Sequence, residues 1–99
     1  MDRLFQFDWD EAKAAANARK HGVSFEFASG VFYDSSLLTV ADLDHSNTED
    51  RWFSVGCVST GAVLFVVCLW SDDSNVTKIR LISARKATHA EIRQYLEGL

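Results

Sequence analysis

A set of polar and charged side chains has the chemistry needed to cleave a phosphodiester. The set combines cations, histidines, a carboxylate and a hydroxyl: Lys13, Lys20, His21, His45, Glu49, Arg51, Arg80, Ser83, Arg85 and Lys86. Cleavage of RNA without a metal passes through a phosphorane with extra negative charge, and Arg and Lys stabilise that charge electrostatically. A histidine or glutamate can take the proton from the 2′-hydroxyl and return one to the leaving oxygen. These residue types therefore suit metal-independent cleavage of RNA.

The cations of the N-terminal third also have a structural interpretation. Lys13, Asn17 and Lys20 share one stripe of a predicted helix, and such a stripe is most often a solvated helix face. Lys20 and His21 also fall at the helix C-terminus, where positive charge interacts favourably with the helix dipole. From the residues alone, the structural interpretation is favoured for this stripe.

The polar connection at residues 42–50 leaves two interpretations open. Most residues of such a loop are merely hydrated, although a histidine such as His45 has ready access to a substrate there. Arg51 can pair at the surface with the neighbouring Glu49 or Asp50, which would contribute little free energy.

Arg80 and Arg85 are the strongest candidates for an anion site. Arg80 interrupts an apolar strand, so it faces solvent, a partner or a charged group on the less covered side of a sheet. Arg85 and Lys86 precede a predicted helix N-terminus, where a simple connecting loop and a phosphate site are both open interpretations. Strict alternation puts Arg80 and Arg85 on opposite faces, and they converge only if the strand ends or turns near Ala84.

The composition predicts one small globular domain over residues 1–99. The chain is 47% hydrophobic and 24% charged, with a net charge of −4. Residues 1–50 carry four Lys and Arg against ten Asp and Glu, whereas residues 51–99 carry six against four, so a local basic patch is compatible with an acidic total.

Cys57 and Cys68 lie in apolar segments without ligand spacing and are predicted to be buried free thiols. No metal, P-loop, dinucleotide or serine-hydrolase motif is present, so neither a metal nor a cofactor is expected.

A cytoplasmic location is expected, without membrane association. No apolar run reaches the ~18 residues that a spanning helix needs. The acidic start Met1-Asp2 also lacks the basic region of a signal peptide.

Hydrophobic periodicity, caps and turn signals predict the order β-α-α-β-β-β-β-α. The predicted elements are a strand at 3–7, a helix between Asp8 or Asp10 and Gly22, a shorter helix from Ser24, strands at 37–41, 51–59, 62–71 and 76–84, and a helix from Thr88 to Glu97. Strands that follow each other through short turns form an antiparallel meander, so we expect an α+β fold with the two N-terminal helices on one sheet face. The strand Val63–Trp70 is apolar on both faces. The C-terminal helix or another chain must therefore cover the second face.

Several segments together resemble the BrnT family of type II toxin–antitoxin toxins over nearly the whole chain. The matching residues are Phe7–Lys13, Asn17–Phe25, Val31–Asp34, Asp44–Ser46, Glu49, Arg51, Gly56, Ile79–Thr88, Glu91 and Tyr95. The sequences Lys-His-Gly-Val-Ser-Phe and Ile-Ser-Ala-Arg-Lys-Ala are specific in combination.

The resemblance implies a RelE-like ribonuclease fold and cleavage of RNA that arrests translation. It implies neutralisation by a BrnA-type antitoxin, which also binds operator DNA, in a hetero-oligomer with two copies of each chain. It places Arg80, Arg85, Arg51 and Lys20 on the scissile phosphate, and His21, His45 or Glu49 in proton transfer. Lys13, Ser83 and Lys86 are then expected to contact the substrate.

Two other classes of function remain open from the sequence. The chain could be a non-catalytic binding module that acts with its antitoxin in repressing their operon. It could also be a structural interaction domain whose apolar sheet face supports a homodimer when the chain is alone.

Overall fold

The computed structural model describes residues 4–44 and 50–98 and confirms the predicted order of elements. The strands are β1 (Leu4–Asp8), β2 (Leu38–Ala41), β3 (Arg51–Cys57), β4 (Val63–Asp73) and β5 (Val76–Lys86). The helices are α1 (Glu11–His21), α2 (Phe25–Ala28), which continues into a 3-10 turn at Ser29–Tyr33, and α3 (His89–Glu97). No helix in these two ranges is long and apolar enough to cross a membrane.

Local signals fix the helix ends. The Asp10 side chain accepts a hydrogen bond from Ala12 N at 2.9 Å and so caps α1, which resolves the choice between Asp8 and Asp10. Gly22 ends α1 in the left-handed region at φ 70°, a conformation that glycine adopts without a steric penalty because it has no Cβ. Thr88 and Glu91 form the predicted capping box at the start of α3.

The five strands form one sheet in the order β1-β5-β4-β3-β2. Strands β2 to β5 pair antiparallel, as the meander predicted. The first strand instead pairs parallel with β5, from Leu4 opposite Val76 to Asp8 opposite Arg80. This parallel edge was not predicted. It is possible because β1 reaches the rest of the sheet through α1 and α2, and a parallel pair needs such a long crossover.

The main core lies between one sheet face and the N-terminal helices. Phe25, Ala28 and Val31 pack there against buried strand residues such as Leu64 and Ile79. Burial of these apolar side chains is the main source of stability for the helical layer.

The C-terminal helix α3 covers part of the second sheet face, which the sequence predicted to be covered either by this helix or by another chain. Glu91 and Gln94 of α3 lie beside Phe53, Val55 and Phe65, which all point away from the N-terminal helices. The Tyr95 hydroxyl also donates a 2.6 Å hydrogen bond to Asp34, which ties α3 to the chain before β2. The sheet is therefore covered on both sides at this end.

A bulge in β5 reverses the expected alternation of its side chains. Val67 of β4 pairs with Ser83, whereas Cys68 pairs with Leu81, so Ile82 is skipped in the register. Because of this extra residue, Arg80 opposite Leu69 and Arg85 opposite Phe65 emerge on the same face. The strict alternation that separated the two arginines is wrong for this strand.

Candidate active site

Three arginines share the sheet face opposite the N-terminal helices, which we call the arginine face. Arg51 of β3 and Arg80 of β5 both pair with Leu69 of β4, so Arg51, Leu69 and Arg80 form one row across the sheet. With strands about 4.8 Å apart, the Cα atoms of Arg51 and Arg80 lie roughly 10 Å from each other. Arg85 belongs to a row further along β4, opposite Phe65. The arginine face thus carries three guanidinium groups.

Arg80 pairs with a carboxylate from the neighbouring edge strand. Its Nη1 atom lies 3.0 Å from Asp8 Oδ2, and the two side chains are 45% and 67% exposed. Such an exposed pair contributes little net free energy. Arg80 can therefore exchange Asp8 for a phosphate oxygen at small cost.

The ion pair of Arg51 is less exposed than that of Arg80. Its Nε atom lies 3.2 Å from Asp42 Oδ2, and the Asp42 side chain is only 5% exposed. The Asp42 backbone N–H also donates to Arg51 O at 2.8 Å, so the pair closes the end of the β2–β3 ladder. The structure shows Asp42 as a partner of Arg51 that the sequence did not predict, and Glu49, one of the two predicted partners, lies outside the described residues.

Arg85 contacts a carboxylate, a backbone carbonyl and an aromatic ring. Its Nη1 and Nη2 atoms donate to Glu91 Oε1 and Oε2, both at 2.9 Å, and Nη1 also donates to Lys86 O at 3.2 Å. The guanidinium carbon lies 4.2 Å from the centroid of the Phe65 ring. The hydrogen bonds from Arg85 lower the pKa of the Glu91 carboxyl, and those to Glu91 raise the pKa of Arg85. Both groups are therefore charged throughout the neutral range.

The other predicted site residues are divided among several places. Ser83 pairs with Val67 on the arginine face, between Arg80 and Arg85. Lys86 pairs with Leu64 and points to the opposite face, away from Arg85. His45 and Glu49 lie outside the described residues.

The predicted residues of α1 do not join the arginine cluster by direct contact. Lys13 and Lys20 are exposed and His21 is half-buried. Within the described ranges, no hydrogen bond or ion pair links these three residues to Arg80 or Arg85. Lys20 and His21 lie in the last turn of α1, where their charge complements the helix dipole.

Four further residues of the arginine face were not predicted from the sequence. Asp8, Asp42 and Glu91 are the carboxylate partners of the arginines, and Lys78, two residues before Arg80, lies on the same face with an ion pair of 3.7 Å to Asp73. The capping box identified Glu91 as a cap residue, but gave no signal that its carboxylate also binds Arg85.

Two cavities differ in their fitness for an anion. A cavity of about 200 Å³ lies on the arginine face beside Arg80 and Lys78, with Asp8 and Leu69 in its wall. A larger cavity of about 510 Å³ is lined by Phe27, Tyr33, Asp34 and Cys57, among others, with no basic side chain. Only the smaller one has the positive charge that a phosphate requires. The described residues contain no cluster of three His, Cys, Asp or Glu side chains that could hold a metal ion.

Comparison with known proteins agrees with this fold. The crystal structure of the Brucella abortus ribonuclease toxin BrnT superposes with a TM-score of 0.59, over 87% of this chain and 99% of that one, at 19% sequence identity. No curated protein is significantly similar in sequence to this chain. The family model described as "Ribonuclease toxin, BrnT, of type II toxin-antitoxin system" matches residues 9–91. The chain belongs to the BrnT family of ribonuclease toxins of type II toxin–antitoxin systems.

Proposed function

We propose that this chain is an endoribonuclease that cleaves RNA on the arginine face without a metal and thereby arrests translation. The family description supports ribonuclease activity in general. The observation that carries the proposal is the bulge at Ile82, which brings Arg80 and Arg85 to the face that also holds Arg51. Three guanidinium groups on one face suit a substrate whose backbone carries a regular series of phosphates.

In this mechanism, the arginines bind the phosphodiester and stabilise the charge that develops on it. Arg80 is the most accessible, because its exposed pair with Asp8 opens at little cost. The phosphorane carries one more negative charge than the substrate, so the guanidinium groups bind it more tightly and lower the barrier. Ser83, between the two arginines of β5, is a further hydrogen-bond donor for the substrate.

We assign proton transfer to His45 or Glu49, with His21 as the other candidate. His45 and Glu49 precede Arg51 by six and two positions in the sequence, and the described chain resumes at Asp50. Asp50 O accepts a 2.9 Å hydrogen bond from Trp70 N, so the chain enters the sheet beside the row of Arg51, Leu69 and Arg80. The closeness in sequence to Arg51 supports His45 or Glu49 as the group that transfers the proton.

The family belongs to toxin–antitoxin systems, which implies an antitoxin partner. We propose that this partner is of the BrnA type, that it forms a hetero-oligomer with the chain in the cytoplasm, and that it alone contacts operator DNA.

A non-catalytic binding module is the second candidate. The observation in its favour is that Arg51, Arg80 and Arg85 each have a carboxylate partner, which reduces the positive potential of the face. This function predicts tight binding of the antitoxin together with no cleavage of RNA.

Induced expression with analysis of total RNA distinguishes the two functions. The wild-type chain is compared with Arg51→Ala, Arg80→Ala and Arg85→Ala, and with Arg93→Ala as a control at an exposed arginine of α3. An endoribonuclease gives growth arrest and new RNA ends that the first three variants lose and Arg93→Ala keeps. Absence of arrest and cleavage with folded wild-type protein contradicts the proposal and supports the binding module.

The purified chain tests the chemistry itself. Cleavage that persists in EDTA supports a metal-independent reaction, whereas loss of cleavage that returns with a divalent cation contradicts it. His45→Ala, Glu49→Gln and His21→Ala then separate the candidates for proton transfer, because the true acid or base should change the pH profile of kcat.

A further inference from the structure

We infer that Glu91 is a positioning residue that holds Arg85 so that its Nε and Nη2 edge faces an RNA phosphate. The inference rests on the proposed function, because it assigns a task to Arg85 in RNA cleavage. It extends that function to a residue of α3 that lies behind the guanidinium rather than on the substrate side.

The hydrogen bonds of Arg85 use one part of the guanidinium and leave another part free. A guanidinium has five N–H groups, one on Nε and two on each terminal nitrogen. The Glu91 carboxylate accepts one N–H of Nη1 and one N–H of Nη2. The backbone oxygen of Lys86 accepts the second N–H of Nη1. Within residues 4–44 and 50–98, the Nε–H and the second N–H of Nη2 have no acceptor. These two groups lie on one edge and point the same way, which is the arrangement that binds two oxygens of a phosphate.

The ring of Phe65 fixes the plane of the guanidinium. The Arg85 carbon is 4.2 Å from the ring centroid, a distance typical of a cation held over an aromatic face. Phe65 is itself held by Phe53, whose ring centroid lies 5.5 Å away. The Arg85 side chain remains 34% exposed. The guanidinium is thus fixed in orientation but open to solvent.

Glu91 is in turn fixed by the start of α3. Its Oε1 accepts the Thr88 backbone N–H at 2.8 Å, while the Thr88 hydroxyl accepts the Glu91 N–H at 3.2 Å. The Glu91 side chain is only 18% exposed, so water competes little for its oxygens. The carboxylate therefore orients Arg85 before the substrate arrives, and less conformational entropy is lost when a phosphate binds.

Glu91→Gln separates this role from the role of Glu91 in the helix cap. Glutamine is accepted at this position of a capping box, but its amide offers one acceptor oxygen instead of two. We expect kcat for RNA cleavage to fall about tenfold to a hundredfold, with little change in KM, since a misplaced group loses transition-state stabilisation. The matched control is Glu97→Gln, which makes the same substitution at an exposed position of α3 and leaves both acceptors of Arg85 in place. This control should keep kcat.

A double-mutant cycle identifies the path of the effect. If Glu91 acts through the guanidinium of Arg85, Glu91→Gln causes no further loss of kcat in the Arg85→Lys background, which keeps the positive charge, and with it measurable cleavage, but lacks the guanidinium edge. The same loss in both backgrounds would show a merely structural role for Glu91 and would overturn the inference.

A binding measurement keeps the inference testable apart from the proposed function. The Arg85 Nε–H resonance is followed by NMR while an uncleavable deoxyribose tetranucleotide is added. We expect this resonance to shift in the wild-type chain and to shift much less in Glu91→Gln. If wild-type protein cleaves no RNA, the proposed function fails, and this titration still decides whether the free edge binds phosphate. An Nε–H that does not respond overturns the inference in either case.

Discussion

The side-chain amide of Asn17 pairs with both backbone groups of Ala84, which lies 67 positions away in the sequence. Asn17 Oδ1 accepts the Ala84 N–H at 3.1 Å, and Asn17 Nδ2 donates to Ala84 O at 2.9 Å and to Val23 O at 3.0 Å. The pairing of β1 with β5 stops at Arg80. Asn17 thus provides the hydrogen bonds that a neighbouring strand would provide further along β5, immediately before Arg85.

Replacement of Asn17 by alanine is expected to destabilise the protein. The residue is 8% exposed, and its loss leaves the buried backbone N–H and C=O of Ala84 without partners. Each unsatisfied group costs about 1–3 kcal/mol, so the free energy of unfolding should fall by about 3 kcal/mol. Urea denaturation measures this change. Lys13→Ala, at an exposed position of the same helix, should change it by less than about 0.5 kcal/mol. A loss below about 1 kcal/mol for Asn17→Ala would contradict the importance of these hydrogen bonds.

Removal of the Asp8 charge should strengthen RNA binding at Arg80. The 3.0 Å pair is exposed, so Asp8→Asn should lower the free energy of unfolding by no more than about 1 kcal/mol. It should also lower KM for RNA, because Arg80 no longer has to exchange a carboxylate for a phosphate. Steady-state cleavage at several salt concentrations tests this, since the gain should shrink as salt screens the charges. Glu97→Gln removes the same charge from an exposed position on α3 and serves as control. An equal decrease of KM in both variants would indicate a general charge effect and not release of Arg80.

The Tyr95–Asp34 hydrogen bond should make stability depend on pH at both extremes. Burial raises the pKa of Asp34, but hydrogen bonds from Tyr95 and from the N–H groups of Cys57 and Ser36 outweigh it and leave the pKa below 3.8. A carboxyl whose pKa is lower in the folded state than in the unfolded state stabilises the folded state at pH values above its unfolded pKa. This contribution is lost as the pH falls through the folded pKa. The hydrogen bond to Asp34, followed by burial, raises the pKa of Tyr95 to about 12 from 10.0. That contribution is complete below pH 10 and is lost as the pH rises towards 12.

The Tyr95→Phe variant tests this coupling. It should lower the free energy of unfolding at neutral pH by about 1–3 kcal/mol, as expected for a hydrogen bond to a charged group. It should also flatten the acid dependence and remove the alkaline decrease due to Tyr95. Urea denaturation across a pH series gives both quantities, with Tyr33→Phe as control because Tyr33 is 69% exposed. If Tyr95→Phe keeps the full pH dependence, the hydrogen bond to Asp34 is not its source.

The two cysteines should differ strongly in reactivity. Both are free, but Cys57 is half-buried, whereas Cys68 is 0% exposed and burial raises the pKa of its thiol to about 12. Because the thiolate is the reactive form, a thiol reagent at pH 8 should modify Cys57 in the native state and Cys68 only after unfolding. The number of thiols that react before and after addition of denaturant measures this. In Cys57→Ser no thiol should react quickly, and a fast reaction in that variant would show that Cys68 is accessible.

The sequence by itself determined the elements and the family. Asp10, Gly22 and the pair Thr88 and Glu91 set helix ends through hydrogen bonds between residues a few positions apart, so the signals are complete within a short segment. The apolar strands of the meander follow each other through short connections, which fixes their antiparallel pairing. Most of the residues that resemble BrnT lie in the range that the family model matches, residues 9–91, and only Phe7, Asp8 and Tyr95 lie outside it. The family prediction is confirmed.

Only the tertiary structure decided which charged groups lie together. Side-chain alternation assumes a regular strand, but the bulge at Ile82 arises from the register of β5 against β4, which depends on two segments at once. The partner of Arg80 is Asp8, 72 positions away, and it is set by the parallel pairing of β1 with β5. Such contacts follow from the packing of distant segments in the whole chain, and no local pattern of residue types carries them.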